Sequence, residues 1–272
     1  MKSDMNNDNY VHGYSLKEST RLSDQANTLS ELLHKNIAYL PNSKVLEAGC
    51  GVGAQTIILA RNSPNAHFTS IDISSESLAE AKARVNRLGI LNVEFQAASI
   101  FDLPFDENSF DHLFVCFILE HLQEPVKALN CLKKVLKPGG TITVIEGDHG
   151  SAFYYPENNL AQKAINCLVE IQSRKGGNAL IGRQLYPILK QADFKNINVL
   201  PCQVYCDSSR PEWVDGFTIK TFIAMVEGIK EEALKLNLTG PEEWNKGMTA
   251  LYDTSGEEGT FSYTFFKGIG VK

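Results

Sequence analysis

Between Lys44 and Glu146 the chain alternates short runs of β-branched and aromatic residues with stretches whose apolar positions recur every three or four residues. A period near two marks strands and a period near 3.6 marks helices, so the alternation predicts successive βαβ units and a parallel sheet. Strands are predicted at 44–47, 67–72, 93–96, 110–117 and 141–146. In one intervening helix Leu78, Ala81, Val85 and Leu88 share a face. Ser74 or Ser75 can cap its start, Glu76 lies in its first turn, and Gly89 follows its end. Pro138-Gly139-Gly140 is predicted to break the helix ending in KKVLK and to turn the chain into the fifth strand.

Outside this block, 16–40 reads as one or two amphipathic helices ahead of the core. Further on, 159–173 is helical, KGGN is a break, 182–191 is another helix and 197–206 a strand. A helical stretch is predicted over 211–238, a new helix starts at Gly240-Pro241 and reaches Tyr252, and FSYTFFKGIGV alternates as a last strand. The expected fold class is α/β: a doubly wound, seven-stranded, mostly parallel sheet with its last strand antiparallel. A helical lid segment is expected at 1–43 and the main domain at 44–272, with helical insertions on the substrate side at about 150–180 and 210–255.

Composition narrows the function. A chain of 272 residues, 43% hydrophobic, can bury a sizeable core without disulfide or metal staples. A net charge of −6 argues against a broad phosphate-binding surface, and nucleic acid is not expected as a partner. The longest apolar run, LFVCFIL from Leu113, is far short of the roughly 20 residues of a membrane helix. The Asn-rich N-terminus lacks the apolar core of a secretory signal, so a cytoplasmic protein without a membrane partner is expected. Cys50, Cys116, Cys131, Cys167, Cys202 and Cys206 form no C-x-x-C pair and read as small apolar residues. Only Cys202 and Cys206 are close, zinc would need two further ligands, and no metal is expected.

The chemistry is concentrated in VLEAGCGVGA, from Val45 to Ala54, where a strand runs into glycines that open a helix. Glycines allow a tight turn and close approach of a ligand, and the helix start offers unpaired N–H groups. Gly49, Gly51 and Ala54 also satisfy the dinucleotide pattern G-x-G-x-x-A, so a nucleotide-linked oxidoreductase stays open on spacing alone. Glu47, at the expected mouth of the site, would repel a pyrophosphate and attract an ammonium group. Asp72, at the end of the second strand, can accept two ribose hydroxyls.

These stretches resemble the class I S-adenosylmethionine-dependent methyltransferases. VLEAGCGVGAQT is similar to the family's first motif, IDIS to its ribose acid, FDLPFDENSFD to the link into the fourth strand, and HLQEPVKALNCLKKVLKPGG to the fourth helix and the approach to the fifth strand. The resemblance spans about 45–146, with a weaker tail to 194. It implies S-adenosylmethionine as cofactor. Glu47, Gly49 and Gly51 would hold its methionine part, Asp72 the ribose, Ile73 one adenine face, Ser99 and Ile100 the adenine edge, and Phe117 a wall. Where Ser99 stands, the family usually carries an acid that accepts the adenine amino group.

YVHGYSLKESTRLSDQA is similar to a segment preceding the core in a subgroup of small-molecule methyltransferases that includes fungal thiol-methylating enzymes. It implies Tyr14 as a lid residue, with Arg21 and Gln25 as further candidates; a core-packing helix would show the same pattern. Ubiquinone-type O-methyltransferases carry E-x-x-E-H after the fourth strand, and here Phe117 replaces the first acid before Glu120-His121. His121 and His149 are candidate general bases, His149 being the more solvent-facing by expectation. Phe153, Tyr154, Trp213 and Phe217 are expected to line the acceptor pocket. The implied activity is direct methyl transfer to an O, N, S or C atom of a small molecule. A cofactor-binding regulatory protein without turnover is the other alternative.

Overall fold

The computed structural model describes residues 16–272. Tyr14 lies outside the described residues. The elements in chain order are α1 (Leu16–His34), β1 (Lys44–Ala48), α2 (Ala54–Asn62), β2 (His67–Asp72), α3 (Ser75–Arg87), β3 (Val93–Ala97), β4 (Phe110–Cys116) and α4 (Pro125–Val135). Then come β5 (Leu136–Tyr155), α5 (Asn159–Arg174), α6 (Leu185–Gln191), β6 (Lys195–Asp207), α7 (Pro211–Trp213), a π-helix (Val214–Ile223), α8 (Ala224–Glu227), α9 (Lys230–Lys235), α10 (Pro241–Asp253) and β7 (Thr260–Val271).

The strands form one seven-stranded sheet in the order β3-β2-β1-β4-β5-β7-β6. β1 to β5 run parallel, and β7 lies antiparallel between β5 and β6. Central strands covered on both faces should be apolar on both. In β4, Phe114 and Cys116 join the layer under α1, α2 and α5, while Leu113 and Val115 join the layer under α4 and α6. α3 starts as its sequence predicts, with the Ser74 hydroxyl accepting from Ser77 N at 3.1 Å. Among the described residues no helix is long and apolar enough to cross a membrane.

Four boundaries differ from the sequence expectation. α4 ends at Val135, because Leu136 already pairs with Phe110; Pro138-Gly139-Gly140 falls inside β5, where the register shifts before His112 meets Thr141. Gly140 is required there, since a Cβ would lie 2.7 Å from Asp111 O. Residues 150–155 belong to β5, paired with β7 as far as Tyr155 and Thr260, so the insertion begins at Asn159 and not near 150. α1 stops at His34, short of residue 40. The stretch 211–238 is no single α-helix: a π-helix occupies its middle, and Thr221 Oγ1 donates to Gly216 O, five residues back, at 2.7 Å. α1 presses on this π-helix, with Thr28 Oγ1 2.3 Å from where a Gly216 Cβ would stand.

Candidate active site

The carboxyl ends of β1 and β2 build a glycine turn. Gly49 and Cys50 donate their N–H groups to Ile71 O at 2.8 and 2.9 Å, and Gly51 N donates to Asp72 Oδ2 at 2.8 Å. Gly49, Gly51 and Gly53 all adopt positive φ, +77°, +50° and +77°, a region costly for residues with a Cβ. A Cβ on Gly49 would stand 2.3 Å from Ile118 Cδ1, whereas one on Gly51 would meet nothing within 4 Å. The turn is therefore packed shut at Gly49 and open at Gly51. α2 begins directly after Gly53, and no side chain caps its first N–H groups.

Asp72 lies beside that opening. Its Oδ1 accepts from Ser74 N at 2.9 Å; burial raises its pKa, against the pull of the amides of Ser74, Gly51 and Ile73. Ile73 is 36% exposed next to it. Ala98 N donates to Asp72 O at 3.1 Å, which brings Ser99 alongside. The Ser99 hydroxyl accepts from Phe101 N at 3.2 Å, and the Ile100 side chain is buried in the layer under α4. Gly51, Asp72, Ile73 and Ser99 thus share one edge, while the Ile100 side chain turns away from it. Open space above Gly51, a carboxylate and an apolar side chain in a row fit the glycine-to-adenosine half of the implied cofactor.

Glu47 is not at the mouth of the site. It is 2% exposed, one layer down, where its Oε2 accepts from Thr56 Oγ1 at 2.6 Å and Ser70 Oγ at 2.7 Å. Burial pushes its pKa up to about 7 in spite of those two donors, and the Asp72 charge pushes the same way. The carboxylate joins α2 to β2 through these two hydroxyl donors, and among the described residues it neither caps a helix nor pairs with a cation.

A second polar group gathers at the ends of β4 and β5. Phe117 adopts φ +58°, an outlier for a bulky residue, and its ring packs on Phe265 with centroids 5.4 Å apart. The following turn is held from below by Glu146, fully buried on β5, whose Oε1 accepts from Ile118 N at 3.0 Å and Leu119 N at 2.7 Å. Burial and the neighbouring Glu120 raise the Glu146 pKa well above its ordinary value.

Glu120 points between two imidazoles. His121 Nε2 is 3.7 Å from its Oε1 and His149 Nε2 is 3.9 Å from its Oε2, while Gln172 Nε2 donates to Oε2 at 3.1 Å. Burial works to raise the Glu120 pKa, but His121, His149, Gln172 and Arg21 together outweigh it and hold the carboxyl below its ordinary range. Burial lowers the His149 pKa, with the Glu120 and Asp148 charges pulling the other way. Its Nδ1 lies 2.7 Å from the Tyr263 hydroxyl of β7, and its ring meets Phe222 edge-on. Arg21 of α1 donates to Gln25 Oε1 at 3.1 Å, and both are buried.

Several expectations need correction here. His149 does not face solvent: it is 5% exposed, because β5 continues through it and turns it inward. His121 is the nearer to the surface, with 16% of its side chain exposed. Phe153 and Tyr154 do not line one pocket, since neighbours on a strand point to opposite faces. Phe153 is 61% exposed, whereas Tyr154 is buried and stacks on Phe261. Trp213 is half-buried with Arg210 over its ring, and Phe217 is buried among Phe261, Tyr263 and Phe265. Among the described residues no group of three His, Cys, Asp or Glu side chains is arranged to hold a metal ion. Glu146, Gln172 and Tyr263 were not singled out from the sequence. No local motif marks them, for each meets its partner only through the fold.

A protein-family model described as a methyltransferase domain matches residues 40–193. An uncharacterized methyltransferase of Schizosaccharomyces pombe is 29% identical over 204 residues, covering 71% of this chain and 72% of that protein. A demethylmenaquinone methyltransferase of Bacillus cytotoxicus is 34% identical over 107 residues, 39% of this chain and 45% of that one. The alignments reach 35% and 59% of the length of two further curated relatives. The Haemonchus contortus phosphoethanolamine N-methyltransferase 2, solved with phosphomonomethylethanolamine and S-adenosylhomocysteine, superposes with a TM-score of 0.55 at 17% identity. That superposition covers 90% of this chain and 52% of that one.

Proposed function

From the premise that the chain belongs to the class I S-adenosylmethionine-dependent methyltransferases and uses that cofactor, we propose that it methylates a small molecule by direct displacement at a nucleophilic O, N, S or C atom. The family match sets aside the nucleotide-linked oxidoreductase. One observation carries the reading: Ile118, two residues before Glu120, packs against Gly49, so the glycine turn and the acid–imidazole turn share a wall one side chain thick. The bound cofactor supplies a methyl group already activated by its sulfonium.

The protein then has to bind, orient and desolvate. Gly51 leaves room for the methionine part, Gly49 and the buried Glu47 brace the turn beneath it, Asp72 offers its carboxylate to the ribose hydroxyls, and Ile73 and Ser99 meet the adenine. Phe117 walls the boundary towards the acceptor. His121 or His149 can hold a proton lost by the acceptor. A small acceptor is supported by the small molecules for which the demethylmenaquinone and phosphoethanolamine methyltransferases are named, and by the net charge of −6, which disfavours nucleic acid.

Calorimetric titration with S-adenosylmethionine and S-adenosylhomocysteine, with nicotinamide cofactors as controls, tests the site. Both sulfur compounds should bind at micromolar concentration or tighter, and Asp72→Ala should weaken them at least about tenfold while keeping its fold by circular dichroism. Equal affinity in the variant would remove Asp72 from the cofactor site.

A further inference from the structure

α1 ends on a buried histidine. His34 is 1% exposed, its Nε2 lies 2.6 Å from Gln55 Oε1, and its ring packs on Phe114 with centroids 5.8 Å apart. Lys267 Nζ donates to Leu33 O at 3.0 Å and fixes the same end of α1 to β7. Gln55 is the second residue of α2, which opens directly after the glycine turn, so α1 reaches the start of that helix through a side-chain bond.

The two ends of that bond can be told apart. Burial lowers the His34 pKa to about 4, with the Gln55 bond opposing and Lys267 reinforcing the shift, so the ring is neutral at neutral pH and carries one hydrogen. His34 Nδ1 is shut off from solvent and has no partner. A buried N–H without an acceptor is rarer than a buried acceptor without a donor, which places the hydrogen on Nε2 and makes His34 the donor to Gln55 Oε1. The amide nitrogen of Gln55, a half-buried residue, then points away from the histidine, and among the described residues it donates to none. Two unused amide hydrogens stand at the start of a helix whose first N–H groups have no side-chain cap, and both features favour an anion.

We propose that Gln55 Nε2 donates to the carboxylate of the cofactor's methionine part, and that His34 holds the Gln55 amide in the orientation this requires. The proposal rests on the placement of the methionine part at the glycine turn given above. A carboxylate entering near Asp72 and the buried Glu47 is repelled by both acids, and amide donors on α2 offset that repulsion. Gln55 is then a cofactor-binding residue, and His34, acting through Gln55, is a positioning residue. Full cofactor affinity accordingly requires the end of α1 to be docked on α2.

S-adenosylhomocysteine and methylthioadenosine share the adenosine and the sulfur, and only the first carries the amino-acid ammonium and carboxylate, so calorimetry with the pair isolates that end of the cofactor. Gln55→Ala should weaken S-adenosylhomocysteine about tenfold and leave methylthioadenosine within about twofold. Gln55→Glu, which sets a like charge against the carboxylate, should weaken S-adenosylhomocysteine further. His34→Ala should reproduce the Gln55→Ala pattern, and the double variant should bind no more weakly than Gln55→Ala. His34→Gln, which restores a donor at similar reach, should recover most of the loss, and ¹⁵N NMR should show His34 as the Nε2–H tautomer. A purely structural role would lower both affinities together. The proposal is overturned by equal weakening of the two ligands, by undiminished S-adenosylhomocysteine binding in folded Gln55→Ala, by tighter binding in Gln55→Glu, by additive losses in the double variant, or by an Nδ1–H tautomer. Should His34→Ala fail to fold, the Gln55 variants and the tautomer decide alone. Asp72→Ala checks the site itself: it should weaken both ligands, and its failure to do so would remove the ribose acid from the cofactor site while the Gln55 variants still report on the amide.

Discussion

The two halves of the sheet make their sites in different ways. On the β1–β3 side the polar contacts are close in sequence: Glu47 to Thr56 spans 9 residues, Gly51 to Asp72 spans 21 and Glu47 to Ser70 spans 23. On the β5–β7 side they are far apart: Leu119 to Glu146 spans 27 residues, Glu120 to Gln172 spans 52 and His149 to Tyr263 spans 114. Lys267 of β7 reaches back 234 residues to donate to Leu33 O near the end of α1, at 3.0 Å. The first kind of site depends on turn geometry, and the second on the docking of separately formed elements.

The contrast can be broken most forcefully at Glu146. Glu146→Ala would strand the amides of Ile118 and Leu119, at about 1–3 kcal/mol each, so a loss of roughly 2–6 kcal/mol is expected in urea unfolding. A loss below about 1 kcal/mol would show that the turn carrying Glu120 stands without its support. Gly49→Ala strikes the other half. It combines a left-handed backbone with a clash on Ile118, and should cost about 1–3 kcal/mol and weaken S-adenosylhomocysteine binding by more than tenfold. Undiminished binding would mean that the turn is not the cofactor's.

A pH experiment sharpens the comparison. Glu47 is raised from 4.5 to about 7 in the folded protein, so it binds more protons folded than unfolded between those values. Its contribution is fully present below pH 4.5 and is lost as pH rises through 7. His34, between the halves, is lowered from 6.5 to about 4 by burial, with the Gln55 bond opposing and Lys267 reinforcing the shift. The unfolded chain binds its proton first, so stability falls as pH drops from 6.5 towards 4. The two effects oppose each other where they overlap. The unfolding free energy of the wild type minus that of Glu47→Gln should fall by about 1–3 kcal/mol between pH 4.5 and 7. A flat difference would mean that Glu47 titrates normally. The smallest effect belongs to Phe153→Ser, on the outer face of β5, with a change within about 0.5 kcal/mol and unaltered methyl transfer. A tenfold loss of activity would restore Phe153 to the acceptor pocket.

Much of the parallel half was legible. Its strands were placed within a residue or so at Lys44, His67, Val93 and Phe110, because each is a short run carrying β-branched or aromatic residues and set between turn and helix signals. Gly49, Gly51 and Asp72 were legible because a tight turn from strand to helix leaves few residues to choose from. The π-helix was not, since apolar periodicity cannot separate an extra residue per turn from an α-helix when both are buried. Nor was the reach of β5 to Tyr155: GDHGSAFYY carries no clear period, and it is a strand because β7 pairs with it. That extension also turned His149 inward and split Phe153 from Tyr154.

The sequence alone determined the order of elements, the α/β class and the glycine turn with its acid, because each depends on interactions between residues close along the chain. Only the tertiary structure decided that Glu120 sits between two imidazoles, that Tyr263 orients one of them, that Glu146 holds the turn beneath, and that Glu47 lies buried. Those contacts join side chains whose meeting is set by strand order, register and helix docking, and a hydrogen bond needs placement to within a few tenths of an ångström that no local pattern encodes.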